Sequence, residues 1–383
     1  MSTELHHGSH RSLLDVFQSD DVPRALINAV IVPAARPVES ISAAISLATE
    51  IGCVLVVLCS REVEADDVAR VAADVGGSVV SVDVDAVADV LPVFETGEVV
   101  NGSRFSRLSD LSSKRNLALV LSRMAGWEKV LFLDDDIDNV HPRSVYAAAG
   151  LLDRYDAVGL ENVGYPDNSV VCHVSRAVGF QQDQFVGAGA LAIAPARMNS
   201  FFPDIYNEDW LFLLGSRNKL QVAITGTMLQ REFDPFADPD RARGEELGDC
   251  LAEGLYWLLD DGWSIDYADV KHWRLFLRLR MRFIEELLVR LDQDSEANAE
   301  KIAALRAAGE ICAALAEEPE LCDGYVRLWR SDLARWRTFL EGCPYRIGLK
   351  KALSELGWNS IARIYTPTSL HEDSLLGFDD GLA

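Results

Sequence analysis

Lys129-Val130-Leu131-Phe132-Leu133-Asp134-Asp135-Asp136-Ile137-Asp138 is the stretch on which the fold turns. Its unbroken apolar run, Val130 to Leu133, predicts a strand covered on both faces, as in a parallel sheet between helices. The carboxylates follow where such a strand leaves the sheet, so the charge sits at a sheet edge. In open α/β sheets that crevice, beyond the carboxyl ends of the strands, is where ligands bind. Carboxylates crowded there repel one another unless a cation joins them. All-oxygen donors select a hard ion, Mg²⁺ or Mn²⁺, shared with phosphate oxygens of a substrate.

Upstream, Ala29-Val30-Ile31-Val32 reads as a short strand stopped by Pro33-Ala34-Ala35-Arg36-Pro37. A helix follows with Ile41, Ala44, Ile45 and Ala48 on one face and Gly52 as its stop. Val54 to Leu58 is a second buried strand, Asp66 to Val75 a helix ended by Gly76-Gly77, and Val79 to Asp83 a third strand. Strands alternating with helices at this spacing predict a doubly wound parallel sheet. Its topology turns the strand ends, with Arg36, Ser60, Arg61 and Asp83, towards the acidic cluster. Leu91 to Asp110 reads as loop. Leu111-Ser112-Ser113-Lys114-Arg115-Asn116 then opens a helix stopped by Gly126. Its hydroxyls, free N–H groups and two cations suit an anion, although a capped helix with a solvated Lys114-Arg115 pair explains them equally.

Downstream, His141-Pro142 starts a helix, and Ala157 to Leu160, Ser169 to Val174 and Phe185 to Ile193 read as shorter strands. Gly187 and Gly189 would let backbone approach a ligand closely or mark a bulge. In Asn207-Glu208-Asp209-Trp210, Asn207 is a fair helix cap and the two carboxylates suit either a helix's first turn or a general base. His272, in Val270-Lys271-His272-Trp273, is a packing residue or a ligand. From Arg274 onward the spacing is helical, with Leu277, Met281, Ile284, Leu288 and Leu291 in one stripe and Tyr325, Leu328, Trp329, Leu333, Trp336 and Leu340 in another. Such stripes pack on the α/β domain or form a homodimer face.

The 383 residues suffice for one large domain plus a smaller one, and a 49% hydrophobic, 25% charged composition is that of an ordinary globular protein. A net charge of −24 argues against nucleic acid and anionic lipid as partners, and demands a local neutraliser for any anionic substrate. No apolar run reaches the roughly 18 residues of a membrane span, and Met1 to Asp21 has no secretory apolar core, so a cytoplasmic location is expected. The seven cysteines lack any Cys-x-x-Cys pair and read as reduced packing residues. His6, His7 and His10 could hold metal but fall in a polar start that reads as a mobile tail. The expected organisation is a flexible tail over 1–24, a catalytic α/β domain over 25–273, a helical extension over 274–358 and an acidic tail over 359–383.

In this order, Val-Pro-Ala-Ala-Arg-Pro, Ser-Ser-Lys-Arg-Asn, Leu-Asp-Asp-Asp-Ile, Gly-Ala-Gly, Asn-Glu-Asp-Trp and a late His resemble a GT-A glycosyltransferase, closest to family 2-like enzymes and relatives that make sugar-glycerate compounds. The likeness spans roughly Ala29 to Trp273. It implies a Rossmann-like, mostly parallel sheet flanked by helices, a UDP- or GDP-type sugar donor and a small hydroxylated acceptor. It further implies that Asp136 mainly holds the Mn²⁺ or Mg²⁺ and Asp134 mainly the ribose or sugar, within an Asp-x-Asp motif. His272 corresponds to a late metal ligand of some relatives, and Asp209, with Glu208 beside it, to the base of inverting members. Pro33, Arg36, Asp83 and Lys114 fall where relatives contact the nucleotide. Asp135, between the motif's acids, and Asp138 are not diagnostic, and the helical extension aligns with no family motif.

The same residues exclude other readings. A haloacid-dehalogenase-type phosphatase needs Thr or Val where Asp138 stands, and a nucleotidyltransferase needs a Gly-rich, Lys-bearing loop where Pro33-Ala34-Ala35-Arg36 stands. A glycoside hydrolase has no use for a metal-bound diphosphate. A non-catalytic nucleotide-sugar-binding scaffold would not need Asp134, Asp136 and Asp209 together. If Asp209 merely caps a helix, transfer with retention, as in sugar-glycerate enzymes, is the alternative.

Overall fold

The computed structural model describes residues 5–86, 90–107, 109–215, 220–293 and 299–366. The expected N-terminal tail is instead part of the fold. Residues from Leu5 onward lie against later helices, and β1 (Asp15–Phe17) forms one edge of the sheet. His10 explains why: it is 4% exposed, between the carboxylates of Glu253 and Asp260 and edge-on to Phe185, Trp210 and Tyr256.

The chain then alternates as its apolar spacing predicts: β2 (Ala29–Ala34), α1 (Ser42–Ile51), β3 (Val54–Cys59), α2 (Ala65–Asp74) and β4 (Val79–Asp83). Gly52 ends α1 at φ 74°, a left-handed conformation that costs glycine nothing. The stretch expected as loop contains α3 (Glu95–Val100). Its first N–H groups, those of Glu95 and Thr96, donate to the buried carboxylate of Asp332, so its cap comes from a distant helix and no local signal announces it. Next come α4 (Leu111–Ala125), β5 (Val130–Leu133), β6 (Ile137–Asp138), α5 (Pro142–Leu151) and β7 (Ala157–Asn162). The expected strand at Ser169 to Val174 is α6 (Val170–Ala177): the Ser169 hydroxyl accepts from Cys172 N–H and caps a helix whose Val170, Val171 and Val174 face inward. β8 (Ala190–Ile193), shorter than expected, α7 (Glu208–Leu214), β9 (Val222–Gln230) and α8 (Pro239–Asp260) follow. The chain continues through α9 (Val270–Gln293), α10 (Ala299–Glu317), α11 (Glu320–Gly342), α12 (Leu349–Glu355) and β10 (Ala362–Tyr365).

The sheet order is β1-β9-β7-β8-β5-β2-β3-β4-β10, with β6 on β9. Strands β5, β2, β3 and β4 are mutually parallel, while β8 runs antiparallel between β5 and β7 and β10 antiparallel at the β4 edge. The result is a mixed α/β protein with a mostly parallel central sheet flanked by helices. Side-chain alternation divides the core: Val30, Val32, Leu55 and Val57 pack beneath α1, α2 and α5, whereas Ile31, Val56, Leu58 and Phe132 face the other layer.

That second layer is where the C-terminal helices go. Trp273, Leu277, Ile284, Trp329, Leu333 and Trp336 belong to the same core as Phe132 and α4, so α9 to α11 are continuous with the α/β layer and the expected boundary at 273 falls inside the first turn of α9. The stripes that suggested a dimer face thus have their partner within the chain. Of the expected acidic tail, Ala362–Tyr365 pairs with β4, and residues 367–383 lie outside the described residues.

From β2 the chain runs outward through β3 and β4, then returns to place β5 on the opposite side of β2. The crevice at this reversal, beyond Ala34 and Leu133, is the switch point at which such sheets bind ligands.

Candidate active site

A cavity of about 1080 Å³ opens at that switch point. Pro33, Arg36, Lys114, Asp134, Asp135, Asp136, Gly187, Gly189, Glu208 and Asp209 all line it. Asp83 and His272 do not. Asp83 accepts the Ala65 N–H at 2.8 Å and so holds the start of α2. The His272 ring bonds the Gly254 carbonyl at 2.9 Å and stacks on Phe276, so it is a packing residue of α9 and not a metal ligand beside the acids.

The three consecutive acids divide their work. Asp135, 4% exposed, accepts the backbone N–H groups of Ala35 and Arg36 at 2.7 and 2.9 Å and pairs with the Arg36 guanidinium. It stitches the end of β5 to the end of β2, leaving Asp134 and Asp136 for the cleft. Asp136 meets Arg36 Nη2 at 3.0 Å, and Asp134 receives Arg115 Nη2 at 2.7 and 2.9 Å. Burial and the neighbouring charge of Asp136 outweigh Arg115 and push the Asp134 carboxyl up to about 6. Asp138 is drawn off by Arg231, at 2.7 and 2.8 Å.

Arg115, not Lys114, is the organising cation. It is buried, donates to Glu208 Oε1 at 2.6 Å as well as to Asp134, and its pKa rises because those carboxylates outweigh the cost of burial. Lys114 turns inward to the Ala34 carbonyl and the Ser60 hydroxyl, each at 2.6 Å, and to Asp110 at 3.0 Å. It therefore braces the cleft floor. Glu208 is 5% exposed and committed to Arg115.

Asp209 is held differently. Its Oδ1 accepts Trp210 N–H at 2.9 Å and its Oδ2 accepts Ala188 N–H at 2.8 Å. Burial raises its pKa against the opposing pull of Arg115 and these N–H groups. Asn207 holds the N-cap position of α7, but its side chain makes no cap bond. It lies at φ 56° and donates its side chain to Asp249 at 2.9 Å. Asp249 in turn receives Arg280 of α9, at 2.5 Å. The C-terminal helices thus fasten the turn that presents Asp209.

Residues 187–189 connect the two acidic positions. The Gly189 carbonyl accepts Asp134 N–H at 2.9 Å while Ala188 N–H holds Asp209. A Cβ on Gly187 would stand 3.0 Å from Asp209 Oδ2, and one on Gly189 3.8 Å from Asp134 Oδ2. At Gly187 glycine is a matter of room beside a carboxylate, whereas a Cβ at Gly189 would make only ordinary contact.

Asp167 also lines the cavity; it stands in the loop before α6, where no local sequence pattern marks it. Although Asp167 is itself exposed at the cleft rim, its place in the cleft and the charges of Asp136, Asp209 and Asp134 push its pKa up. Carboxylates that raise one another's pKa in this way form an undercompensated negative field, which a divalent cation relieves. Asp134 and Asp136 offer it hard oxygen donors. Among the described residues no third Asp, Glu, His or Cys ligand atom is gathered with theirs within 4.8 Å. The set fits an ion that completes its shell with substrate oxygens and water, the habit of Mg²⁺.

No protein-family model matches the chain, and no curated protein matches it. Among solved structures it is similar to the mannosyltransferase PcManGT from Pyrobaculum calidifontis, in complex with GDP-Man and Mn²⁺. The identity is 15% and the TM-score 0.33, over 89% of this chain and 92% of that one. No helix among the described residues is long and apolar enough to cross a membrane.

Proposed function

We propose that the chain is a GT-A-type glycosyltransferase that moves a sugar from a nucleoside-diphosphate donor to a hydroxyl of a small acceptor with inversion. The observation that carries this reading is the joint 187–189, which registers Asp134 and Asp209 against one another in one cleft at the switch point. Two carboxylates with separate fastenings suit separate tasks: one beside the leaving group, one beside the nucleophile.

Asp134 and Asp136 would hold Mn²⁺ or Mg²⁺ together with the donor's phosphates. Bound there, the ion supplies Lewis-acid neutralisation of the charge that develops on the departing diphosphate. Arg36, half exposed beside Asp135 and Asp136, would offer its guanidinium to the donor's phosphates. Asp209 accepts the proton of the attacking hydroxyl, and its raised pKa suits that task. Its two backbone N–H bonds fix the carboxylate's plane. Glu208 is the poorer base, since accepting a proton would break its buried pair with Arg115.

The test is a thermal-shift panel of UDP-, GDP- and dTDP-sugars with and without Mn²⁺, because ligands that bind only the native state raise its Tm. The expected outcome is metal-dependent stabilisation by one nucleotide family, lost in Asp136→Asn. Asp209→Asn should keep donor binding and lose about 10²- to 10⁴-fold in turnover, the usual worth of a general base. Stabilisation indifferent to metal and to Asp136→Asn, or full turnover in Asp209→Asn, would overturn the proposal.

A further inference from the structure

The histidine-bearing N-terminal segment has no part in the transfer chemistry, yet it enters a second group of ligating side chains. His6, Cys172 in the first turn of α6, and Glu253 on α8 each bring one ligand atom within 4.8 Å of the others. We propose that these three residues form a Zn²⁺ site, distinct in chemistry from the all-oxygen pair of the cleft, that clamps the N-terminal segment onto α6 and α8.

The donor set makes the choice of metal. An imidazole, a thiolate and a carboxylate suit borderline-soft Zn²⁺, whereas Mg²⁺ and Mn²⁺ favour oxygen alone. With bonds of about 2.0–2.3 Å, a tetrahedral ion spaces its ligands at roughly 3.5 Å. The group as it stands therefore needs only a small contraction. Cys172 and Glu253 both border the cleft, which leaves a fourth position to water from that side.

The surroundings are those of metal ligands. Gln182 Oε1 takes His6 Nε2 at 2.7 Å, leaving Nδ1 for the ion. His10 Nε2 meets Glu253 Oε2 at 3.0 Å, and its Nδ1 reaches Asp260, so the carboxylate ligand is oriented from behind. Burial keeps the His6 ring neutral, the form a metal needs. Although burial opposes it, the charge of His10 and its hydrogen bond keep Glu253 ionised, at about 2. Cys172 is held as the thiol by burial beside Asp249 and Glu253. Binding therefore forms N–Zn, S–Zn and O–Zn bonds and releases one proton from Cys172 to solvent, leaving two ligand charges to cancel those of the ion. Arg280, whose field reaches His6 and Cys172, is itself balanced by Glu246 and Asp249. A second trio, Glu246, Cys250 and Cys312, also lies within 4.8 Å, but Arg280 occupies both oxygens of Glu246 at 3.0 and 3.1 Å.

Cobalt distinguishes these sites, because Co²⁺ bound to thiolate shows a sulfur-to-metal charge-transfer band that an oxygen-only site lacks. Chelator-stripped full-length protein titrated with Co²⁺ should develop this band to saturation at a single equivalent, and Zn²⁺ should erase it. The band should be lost in Cys172→Ser and in His6→Ala, and kept in Asp136→Asn and Cys312→Ser. Zn²⁺ should raise the Tm of the wild type and of neither ligand variant. Circular dichroism shows that each variant is folded, and His6→Ala, near the chain's start, carries the test should Cys172→Ser unfold. No thiolate band in the folded wild type, or a band that survives Cys172→Ser, overturns the proposal, as does one abolished by Cys312→Ser.

Discussion

Replacing His10 by glutamine removes the titrating ring between Glu253 and Asp260 while keeping a hydrogen-bond donor. Burial disfavours the imidazolium, but the two carboxylates outweigh it and raise the His10 pKa from 6.5 to about 9. A folded-state pKa above the unfolded one gives stability that is fully present below pH 6.5 and lost as pH rises through about 9. At about 1.4 kcal/mol per pH unit the displacement amounts to roughly 3 kcal/mol. The low pKa of Glu253 reflects the same pair and adds no second contribution. Urea unfolding followed by tryptophan fluorescence, with chelator present to exclude metal, measures this in wild type and His10→Gln between pH 6 and 9.5. Wild type should lose about 3 kcal/mol more than the variant over that range. Equal losses in the two proteins, or an NMR titration of His10 with a midpoint near 6.5, would refute the reasoning.

Two further substitutions probe the cleft. Arg115→Met strands the buried carboxylates of Asp134 and Glu208, and should destabilise the protein by about 3–5 kcal/mol at pH 7 in chemical denaturation; a loss under about 1 kcal/mol would mean that Arg115 does not organise the site. Gly187→Ala places a methyl 3.0 Å from Asp209 Oδ2 and should cut transfer about tenfold to a hundredfold by displacing the base, with little change in Tm; unaltered kcat would show that the carboxylate has room to spare.

Most of the sheet was legible because its signal is local. Val30, Val32, Leu55 and Val57 alternate with residues that face the opposite layer, and a run buried on both sides can only be an inner strand. The helix stops at Gly52 and Gly126 were equally plain, since each needs a left-handed residue at a definite place. The errors fell where a distant residue decides the local conformation. Asp332 caps α3, and Asp249 draws Asn207 out of its expected capping role. The histidines at the start read as a tail because nothing nearby in sequence reveals Glu253 and Asp260.

The inner strands β2 to β5 and the acids at the end of β5 follow from composition and spacing, because each depends on a few contiguous side chains; the order across the sheet, with β8 and β10 antiparallel, does not. Which acid faces the cleft could not be read in the same way. Asp134, Asp135 and Asp136 are chemically identical, and their separate tasks arise from Arg115, the Ala35 and Arg36 N–H groups and Arg36, all brought up from elsewhere in the chain. The same holds for His272, which the family resemblance set beside the acids and packing set against Gly254. Short-range periodicity specifies elements. The partners of a charged side chain are specified only when folding closes long loops and burial forces each charge to find its counterpart.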